Sequence, residues 1–518
     1  MTPPSPLPRH TVVVLLDSLN RHLLGSYGGT EFDTPALDRF ARRATRFLHH
    51  HTGSLPCMPA RHDLLCGALD FLWKPWGSVE LWEDPITVPL RDAGVTTMLI
   101  SDHPHLFESG GENFHTEFTA WDYQRGHESD PWRTRADPSW IGAPTNGRTF
   151  AYDKSRGWFR GEHDFPGPRT MRAAADWIDQ NADHHDRFLL VVDEFDPHEP
   201  FDTPEPYASR YDEDWQGPHL IWPPYAKAAV AQGVLSGREA FQVRAQYGGK
   251  LTMIDHWFGR LLDALDRHAL WDDTAVIVCT DHGHYLGEHD FFGKPPVPIH
   301  EEMGHIPLLV WWPGGATNGA TSGALTTTVD LHATLADQFG VAGAVRHRTH
   351  GHSLVPILTG TSVSVRDHVL TGVWGREVHL VDRTHTYARA PVGPNAPLVM
   401  LSNRWSTMPT HVLSKEQALP VPDQRAVLGH MPGSDVPVIR QVWDESDPVP
   451  FWSWGAFRGH HLWNLADDPN QAHDLVNSTA GSTARAAVGV EVEITERLRA
   501  ALVDIEAPPE QLVRLGLQ

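Results

Sequence analysis

The chain of 518 residues carries a formal net charge of −23, because 65 acidic residues stand against 42 basic ones. This balance argues against nucleic acid or an anionic membrane as a partner, since both bind cationic surfaces. The first residues lack the apolar core of a secretory signal, and no run of about 18 apolar residues follows. We therefore expect a cytoplasmic protein, with a mature secreted protein as the weaker alternative. The three scattered cysteines, Cys57, Cys66 and Cys279, are too few for a disulfide framework.

Strand-like and helix-like segments alternate through most of the chain before residue 360. Residues 11–17 form a β-branched and aliphatic run that ends on Asp17, which is typical of a strand buried on both faces. Thr34 and Pro35 indicate the N-cap and first position of a helix. Further strands are predicted at 96–101, 188–192 and 275–280, and further helices at 170–182 and 240–265. The alternation predicts an α/β fold with a large, mostly parallel or mixed sheet sandwiched by helices.

Polar residues directly follow the predicted strands. These residues are Asp17, His103, Asp196, His198, Asp281 and His282. In open α/β sheets, ligands gather beyond the carboxyl ends of the strands. We therefore expect these side chains to lie at one edge of the sheet and to form one site.

The chain changes character after about residue 360. Short apolar stretches at 377–380 and 397–401 are separated by Pro, Gly, Asn and Asp, and a helical pattern follows at 490–502. We therefore predict a catalytic α/β domain over residues 1–360 and a smaller C-terminal α+β subdomain over residues 361–518.

A long segment from about 121 to 167 is rich in Trp, Arg, Asp, Gly and Pro. Segments of this kind commonly shape a pocket. It is predicted to be an insertion over the sheet, either beside the site or as a surface excursion.

The most informative segment is Cys57-x-Pro59-x-Arg61. Arg61 follows Cys57 by four residues, so on a helix that begins near Met58 both side chains share one face. The pattern resembles the signal by which formylglycine-generating enzymes oxidise one cysteine of the type I sulfatases, which belong to the alkaline phosphatase superfamily. The next residues, Leu-Leu-Cys-Gly at 64–67, resemble the Leu-Thr-Gly stretch of those enzymes.

Further segments resemble motifs of the same family, and they occur in the family's order. They are Ile100 to His105, Pro197-His198-x-Pro200, Thr280-Asp281-His282-Gly283, Gly293-Lys294 and the segment from Leu462 to Pro469. The resemblance extends from Asp17 to Pro469. It implies an alkaline phosphatase-like fold and a hydrolase that cleaves a sulfate monoester.

The resemblance also implies a role for each matching residue. The implied metal ligands are Asp17, residue 57, Asp281 and His282; the catalytic residues are Cys57, Arg61, His105, His198 and Lys294; and the residues that bind the sulfate group are His103 and Lys294. Two positions depart from the family pattern. His103 stands where a lysine is usual, which makes the charge there pH-dependent. Ser18 stands where many sulfatases have a second aspartate, which removes one carboxylate from the expected coordination.

The hypothesis for the reaction begins with formylglycine at position 57, which hydrates to a geminal diol. One hydroxyl attacks sulfur, while Arg61 holds the diol and counters its charge. The leaving alcohol takes a proton from His198 or Lys294. His105 then removes the proton of the second hydroxyl, which expels sulfate and restores the aldehyde.

The expected cofactor is one divalent metal ion. Carboxylate oxygens favour Ca²⁺, whereas His282 shifts the preference toward Mn²⁺ or Zn²⁺, so we expect Ca²⁺ first and Mn²⁺ second. The expected partners are a small sulfate ester and, during maturation, a formylglycine-generating enzyme.

Two alternatives to a sulfatase stay open. One is a phosphonate monoester or phosphodiester hydrolase with the same nucleophile, which the Asp-His pairing and the absent second aspartate favour. The other is a noncatalytic metal-binding scaffold in which Cys57 remains a thiol. The sequence leaves the alcohol of the substrate open among aryl, carbohydrate, choline-like and lipid esters, and it does not define the oligomeric state.

Overall fold

The structure is a computed structural model. It describes residues 7–139, 146, 150–408, 419–447, 459–476 and 481–518. Within these ranges, no helix is both long enough and apolar enough to cross a membrane.

The described residues form strands and helices throughout. The strands are β1 (His10–Leu16), β2 (Thr45–His51), β3 (Ser54–Leu55), β4 (Thr96–Ser101), β5 (Ala120–Tyr123), β6 (Phe188–Glu194), β7 (Thr274–Cys279), β8 (Tyr285–Leu286), β9 (Phe292–Gly293), β10 (His305–Trp311), β11 (Thr321–Thr327), β12 (Val369–Val373), β13 (Val378–Val381), β14 (His385–Arg389), β15 (Leu398–Ser402), β16 (Val427–His430), β17 (Pro437–Trp443) and β18 (His461–Asn464). The helices are α1 (Pro35–Ala41), α2 (Cys57–Cys66), α3 (Thr87–Asp92), α4 (Phe150–Arg156), α5 (Pro166–Asn181), α6 (Gly237–Arg267), α7 (Glu301–Gly304), α8 (Val329–Gln338), α9 (Val355–Leu358), α10 (Gly481–Asp504) and α11 (Pro509–Arg514).

Eight strands form the main sheet, in the order β11-β2-β10-β7-β1-β6-β4-β5. β1 is central and pairs in parallel with both β6 and β7, while β10 runs antiparallel to its two neighbours. All seven residues of β1 are buried. This burial explains why the strand reads as a continuous apolar run instead of an alternating one.

Helices cover both faces of this sheet, which confirms the predicted fold class. Alternate side chains of a strand point to opposite faces. Val12 and Val14 accordingly pack in one cluster with residues of α5 and α6, and Val13 and Leu15 pack in another with residues of α2 and α8. The sheet is thus the middle layer of a three-layer sandwich.

The predicted elements agree with the observed ones to within a few residues, apart from the outer strands and from α10, which begins at Gly481 instead of near residue 490. α6 begins at a capping box in which Ser236 and Glu239 bond each other's backbone N–H groups. β2, β5, β10 and β11 lie on the outer parts of the sheet and escaped the sequence analysis. The predicted insertion, 121–167, holds β5, α4 and the start of α5, and residues 140–145 and 147–149 of it lie outside the described residues.

The segment after residue 360 contributes two smaller sheets. One has the order β15-β17-β16, and the other has the order β18-β14-β13-β12-β3. The second sheet therefore takes β3 from the segment just before Cys57, with Leu55 beside Val373. The division at residue 360 remains a prediction, because this pairing links the two parts directly.

Gly248 in α6 offers a test of the packing between helix and loop. A Cβ atom at Gly248 would lie 2.2 Å from Cε1 of Phe32, whereas a Cβ at Gly259 in the same helix would lie 3.6 Å from Cβ of Ala36. We predict that Gly248→Ala lowers the free energy of unfolding by about 1–3 kcal/mol through overpacking. The control Gly259→Ala should raise it by up to about 1 kcal/mol. Urea denaturation measures both, and equal effects of the two variants would contradict the prediction.

Candidate active site

Three aspartates converge at the carboxyl ends of neighbouring strands. Asp17 follows β1, Asp193 lies near the end of β6, and Asp281 follows β7. The central position of β1 between β6 and β7 places the three carboxylates side by side. All three are buried, so their negative charges require a partner.

Arg61 supplies that partner from α2. Its Nε and Nη2 donate to the two carboxylate oxygens of Asp193, each at 2.7 Å. Nη1 donates to Asp281 Oδ2 at 2.9 Å, and Nη2 lies 3.0 Å from Asp17 Oδ2. The planar guanidinium makes this multiple contact possible, which a lysine ammonium would not reproduce.

Helix α2 places Cys57 beside the same aspartates. Cys57 is the first residue of the helix, all ten of whose residues are buried. Arg61 lies one turn later and donates from Nη1 to the Cys57 carbonyl oxygen at 3.2 Å. Asp63 fastens the helix to β3, because it accepts from the N–H and the hydroxyl of Ser54 and from the hydroxyl of Thr328. The start of α2, which carries Cys57, is therefore fixed by the contacts of both Arg61 and Asp63.

The four residues expected to bind metal lie together. One ligand atom each of Asp17, Cys57, Asp281 and His282 lies within 4.8 Å of the others, and all four residues are buried. His282 Nδ1 donates to the Gly283 carbonyl at 2.9 Å, which leaves Nε2 as the ring's acceptor. Nε2 lies 3.2 Å from Cys57 Sγ, and burial lowers the pKa of His282 to about 4. A neutral imidazole and two carboxylates fit a divalent cation.

The two carboxylates of this set affect each other strongly. Burial and the charge of Asp281 raise the pKa of Asp17 well above its ordinary value. Although burial opposes it, His282 and Arg61 hold the pKa of Asp281 below its usual range. A divalent cation between them would relieve this repulsion.

Ser18 bridges the same two carboxylates. Its hydroxyl donates to Asp17 Oδ1 at 2.7 Å, and its backbone N–H donates to Asp281 Oδ1 at 3.0 Å. The residue has a φ of 59°, in the left-handed region that non-glycine residues rarely adopt. Ser18 therefore orients two expected ligands at the position where many sulfatases have another carboxylate.

Lys294 and His198 face Cys57 from the opposite side. Lys294 Nζ lies 3.9 Å from Cys57 Sγ and 2.8 Å from His198 Nε2. His198 Nδ1 lies 2.7 Å from the Glu199 carbonyl oxygen, so Nδ1 carries the proton and Nε2 accepts one from lysine. Burial lowers the pKa of His198 to about 3, in agreement with a neutral ring.

His103 and His105 have different surroundings. His103 is fully buried, its Nε2 lies 3.7 Å from Asp17 Oδ2, and neither ring nitrogen has a hydrogen-bond partner. Burial holds its pKa well below the ordinary value, so the ring is neutral at neutral pH. The ring nitrogens of His105 face Glu108 and Glu128 instead. Although burial lowers it, these hydrogen bonds raise the pKa of His105 to about 9.

Several residues of the site escaped the sequence analysis. They are Glu108, His127, Glu128, Asp193, Phe195, Glu199, Tyr225 and Lys250. Asp193 could have been found, because it immediately follows the apolar run of the predicted strand. Glu108 and Glu128 lie in irregular segments, where no periodicity marks a residue that contacts His105.

Phe195 is the common neighbour of the histidines. Its ring centroid lies 4.2 Å from that of His198, 4.3 Å from His103, 4.7 Å from His127 and 6.1 Å from His105. The ring is fully buried. It therefore packs against all four histidine rings and fixes their orientations by contact, while His103 and His105 also contact each other edge to face, with centroids 5.3 Å apart.

A second group of metal-binding residue types lies behind α2, formed by His62, Cys66 and Glu83. The buried ammonium of Lys74 already lies here, 3.6 Å from Glu83 and 3.5 Å from Asp70. His62 Nε2 lies 2.7 Å from Glu83 Oε2. The positive charge of this network is thus supplied by the protein itself, and we interpret the network as structural support for α2.

The comparisons with known proteins agree with this geometry. The profile of the sulfatase family matches residues 9–341. The multifunctional alkaline phosphatase superfamily protein PehA of Trinickia caryophylli is 26% identical over 405 residues, which cover 65% of this chain and 74% of that protein. The choline-sulfatase of Rhizobium meliloti is 26% identical over 384 residues, with coverages of 67% and 71%.

Solved structures share the fold at lower identity. The phosphonate monoester hydrolase of Agrobacterium radiobacter superposes with a TM-score of 0.64 at 18% identity, over 95% of this chain and 96% of that one. A protein solved in complex with its substrate D-glucosamine-2-N,6-O-disulfate gives a TM-score of 0.62 at 14% identity, over 95% and 98%. At these identities the structures establish the fold alone.

The chain therefore belongs to the sulfatase family of the alkaline phosphatase superfamily. This membership makes it a hydrolase that acts on sulfate esters.

Lys74 provides a test of the network behind α2. We predict that Lys74→Met lowers the free energy of unfolding by about 3–5 kcal/mol, because it leaves buried carboxylates without their cation. The matched control is Lys227→Met at an exposed position, which should change stability by no more than about 0.5 kcal/mol. Chemical denaturation at neutral pH measures both. A Lys74→Met protein as stable as the control would contradict the structural role.

Proposed function

We propose that the protein hydrolyses a sulfate monoester with formylglycine, made from Cys57, as the source of the attacking oxygen. The observation that supports this most is the placement of residue 57 among Asp17, Asp281, His282 and Lys294. As encoded, the residue is a poor nucleophile, because burial and the charge of Asp17 raise the pKa of the Cys57 thiol well above its ordinary value.

Arg61 and Lys294 bind and orient the reacting groups in this proposal. Arg61 is fixed by its aspartate contacts and holds the N-terminal turn of α2 through the Cys57 carbonyl. The Lys294 ammonium faces Cys57 Sγ, so it is placed to neutralise the sulfate oxygens. Although burial lowers it, the surrounding acidic groups, Cys57 first and then Tyr225 and Glu199, raise the pKa of Lys294 in the unmodified protein.

The hydrogen-bond pattern favours Lys294 over His198 as the proton donor to the leaving alcohol. A lysine ammonium offers only donors, and His198 Nε2 accepts one of them. His198 therefore orients the ammonium, and another N–H group of Lys294 remains for the leaving alcohol. We assign proton delivery to Lys294 and positioning to His198.

His103 and His105 share the remaining roles. The neutral, buried ring of His103 has one N–H group, and neither ring nitrogen is bonded within the protein, so we assign its N–H to a sulfate oxygen as predicted. His105 is placed as an imidazolium between two carboxylates. Its predicted role as the base that releases sulfate requires that it lose this proton first, and that role stays a prediction.

We propose that the metal ion is held by Asp17, Asp281, His282 and the modified residue 57, with Ca²⁺ as the first candidate and Mn²⁺ as the second. When bound, such an ion would lower the pKa of a coordinated hydroxyl and offset the charge of the sulfate group. The protein contributes the preorganised ligands, with Ser18 bonding both carboxylates and Gly283 fixing the tautomer of His282.

A phosphonate monoester or phosphodiester hydrolase is the second candidate. Ser18 in place of a carboxylate leaves two expected anionic ligands, and the relative PehA is described as multifunctional within the alkaline phosphatase superfamily. A singly charged diester presents a charge similar to that of a sulfate monoester, so one site can process both. The noncatalytic scaffold is disfavoured by the family membership. A cytoplasmic location and maturation by a formylglycine-generating enzyme remain part of the proposal.

The first test is the chemical identity of residue 57. We predict that protein produced with a formylglycine-generating enzyme has lost sulfur at Cys57 and carries an aldehyde or its hydrate. Cys66 is the internal control, because it is also buried but lacks the Pro-x-Arg sequence after it. Peptide mass spectrometry resolves the two positions. An intact thiol at Cys57 beside an active modifying enzyme would refute the proposed nucleophile.

The second test separates Lys294 from His198. We predict that Lys294→Met lowers kcat/KM for alkyl sulfates by about 10²–10⁴, and less for 4-nitrophenyl sulfate, whose leaving group needs no proton. His198→Gln should show a smaller loss with the same substrates, because its amide oxygen can still accept from lysine. If Lys294→Met lowers kcat/KM equally for both leaving groups, the residue acts in sulfate binding alone.

A further inference from the structure

A cavity of about 300 Å³ opens directly beside the candidate nucleophile. Its lining includes His282 and Lys294, two side chains that also contact Cys57. The volume is at the lower end of the range for small-molecule sites, which is about 300–1,000 Å³. Because Lys294 faces both residue 57 and the cavity, the leaving alcohol of a bound ester would occupy this space.

Apolar side chains form most of the wall. They include Leu55, Val297, Ile299, Met303 and Val373, and a run of prolines at 295, 296 and 298. Two tyrosine rings, those of Tyr225 and Tyr285, complete it. Such a lining gains free energy by removing apolar substrate surface from water and gains nothing from a hydroxylated one.

Three polar side chains of the wall are already engaged within the protein. Tyr285 donates to His300 Nδ1 at 3.0 Å, and the Tyr225 hydroxyl bonds Glu199. Arg376 Nη2 donates to the Val297 carbonyl at 3.2 Å, and its Nε lies 3.3 Å from Glu377. A polyhydroxylated alcohol would therefore replace few of the bonds to water that it loses on entering the cavity.

The charges of the wall oppose a cationic alcohol. Lys294 and Arg376 are the charged residues among those that line the cavity, and both are positive. None of the described residues that line it is acidic, and the nearby carboxylates of Glu199 and Glu377 are already engaged with Tyr225 and Arg376. A quaternary ammonium could contact the tyrosine rings, but it would meet two like charges and no lining carboxylate.

We propose that the alcohol portion of the substrate is an uncharged, apolar, ring-sized group, and that Val297, Ile299, Met303 and Val373 select it over carbohydrate and choline-like alcohols. This inference rests on the proposed function, because it names the alcohol that the same site releases. It applies equally to the leaving group of a phosphonate or phosphodiester.

Three primary alkyl sulfates of similar intrinsic reactivity test the inference: cyclohexylmethyl sulfate, choline sulfate and glucosamine 6-sulfate. On protein with confirmed formylglycine at position 57, kcat/KM for cyclohexylmethyl sulfate should exceed that for each of the others by about tenfold or more. A preference for choline sulfate or glucosamine 6-sulfate would overturn the inference and leave the proposed hydrolysis intact. No hydrolysis of any of the three or of 4-nitrophenyl sulfate would overturn the proposed function and the inference with it.

A substitution at Val373 tests the wall itself. Val373→Asp should lower kcat/KM for cyclohexylmethyl sulfate by about tenfold and should raise the ratio of choline sulfate to cyclohexylmethyl sulfate turnover, because the new carboxylate attracts the cation. Val373→Asn introduces a side chain of similar size and polarity without the charge. It should lower the turnover of cyclohexylmethyl sulfate without shifting the selectivity toward choline sulfate. Val363→Asp, at a position 87% exposed, is the control and should behave as the parent protein.

Thermal unfolding of each variant is measured together with these rates. If Val373→Asp does not fold, Val373→Thr, which keeps the shape of valine, measures the cost of polarity alone and should still lower turnover of the apolar ester. Unchanged selectivity in a folded Val373→Asp or Val373→Thr protein would show that the cavity does not hold the alcohol.

Discussion

The buried guanidinium of Arg61 is the interaction on which the site depends. It joins the ends of β1, β6 and β7 through Asp17, Asp193 and Asp281 and, through the carbonyl of Cys57, attaches the start of α2 to them. Three aspartates in a buried space would otherwise repel one another. One planar cation therefore sets both the spacing of two expected metal ligands and the position of the residue that carries the chemistry.

The sequence predicted those parts of the fold and the site that depend on local pattern. β1 and α6 follow from an apolar run and from helical periodicity, and Asp281 and His282 follow from their place at a strand end. The contacts of His105 with Glu108 and Glu128 join segments without periodicity, so they depend on tertiary packing alone. β2, β5 and β11 carry weaker apolar patterns than the central strands, whereas the apolar run of β10 (His305–Trp311) offered a signal that the sequence analysis did not use.

Rigid support surrounds the reacting groups. Phe195 packs against four histidine rings, and Lys250 of α6 donates to the carbonyls of His198 and Pro200 and pairs with Asp196. A desolvated polar group in such a place is expensive unless it has a partner. Among the described residues, His103 is one of those whose ring nitrogens have no hydrogen-bond partner within the protein, so a bound substrate could supply one.

The pairing of β3 with β12 bears on the order in which the chain is synthesised and folded. Cys57 is only 4% exposed after folding, so an enzyme that alters its side chain must reach it earlier. Leu55, two residues before it, finds its strand partner only when Val373 has been synthesised. More than three hundred residues must therefore be translated after Cys57 before Val373 can complete this sheet. The five-stranded sheet that begins beside Cys57 is therefore completed late in synthesis, and this timing is a property encoded in the topology of the chain.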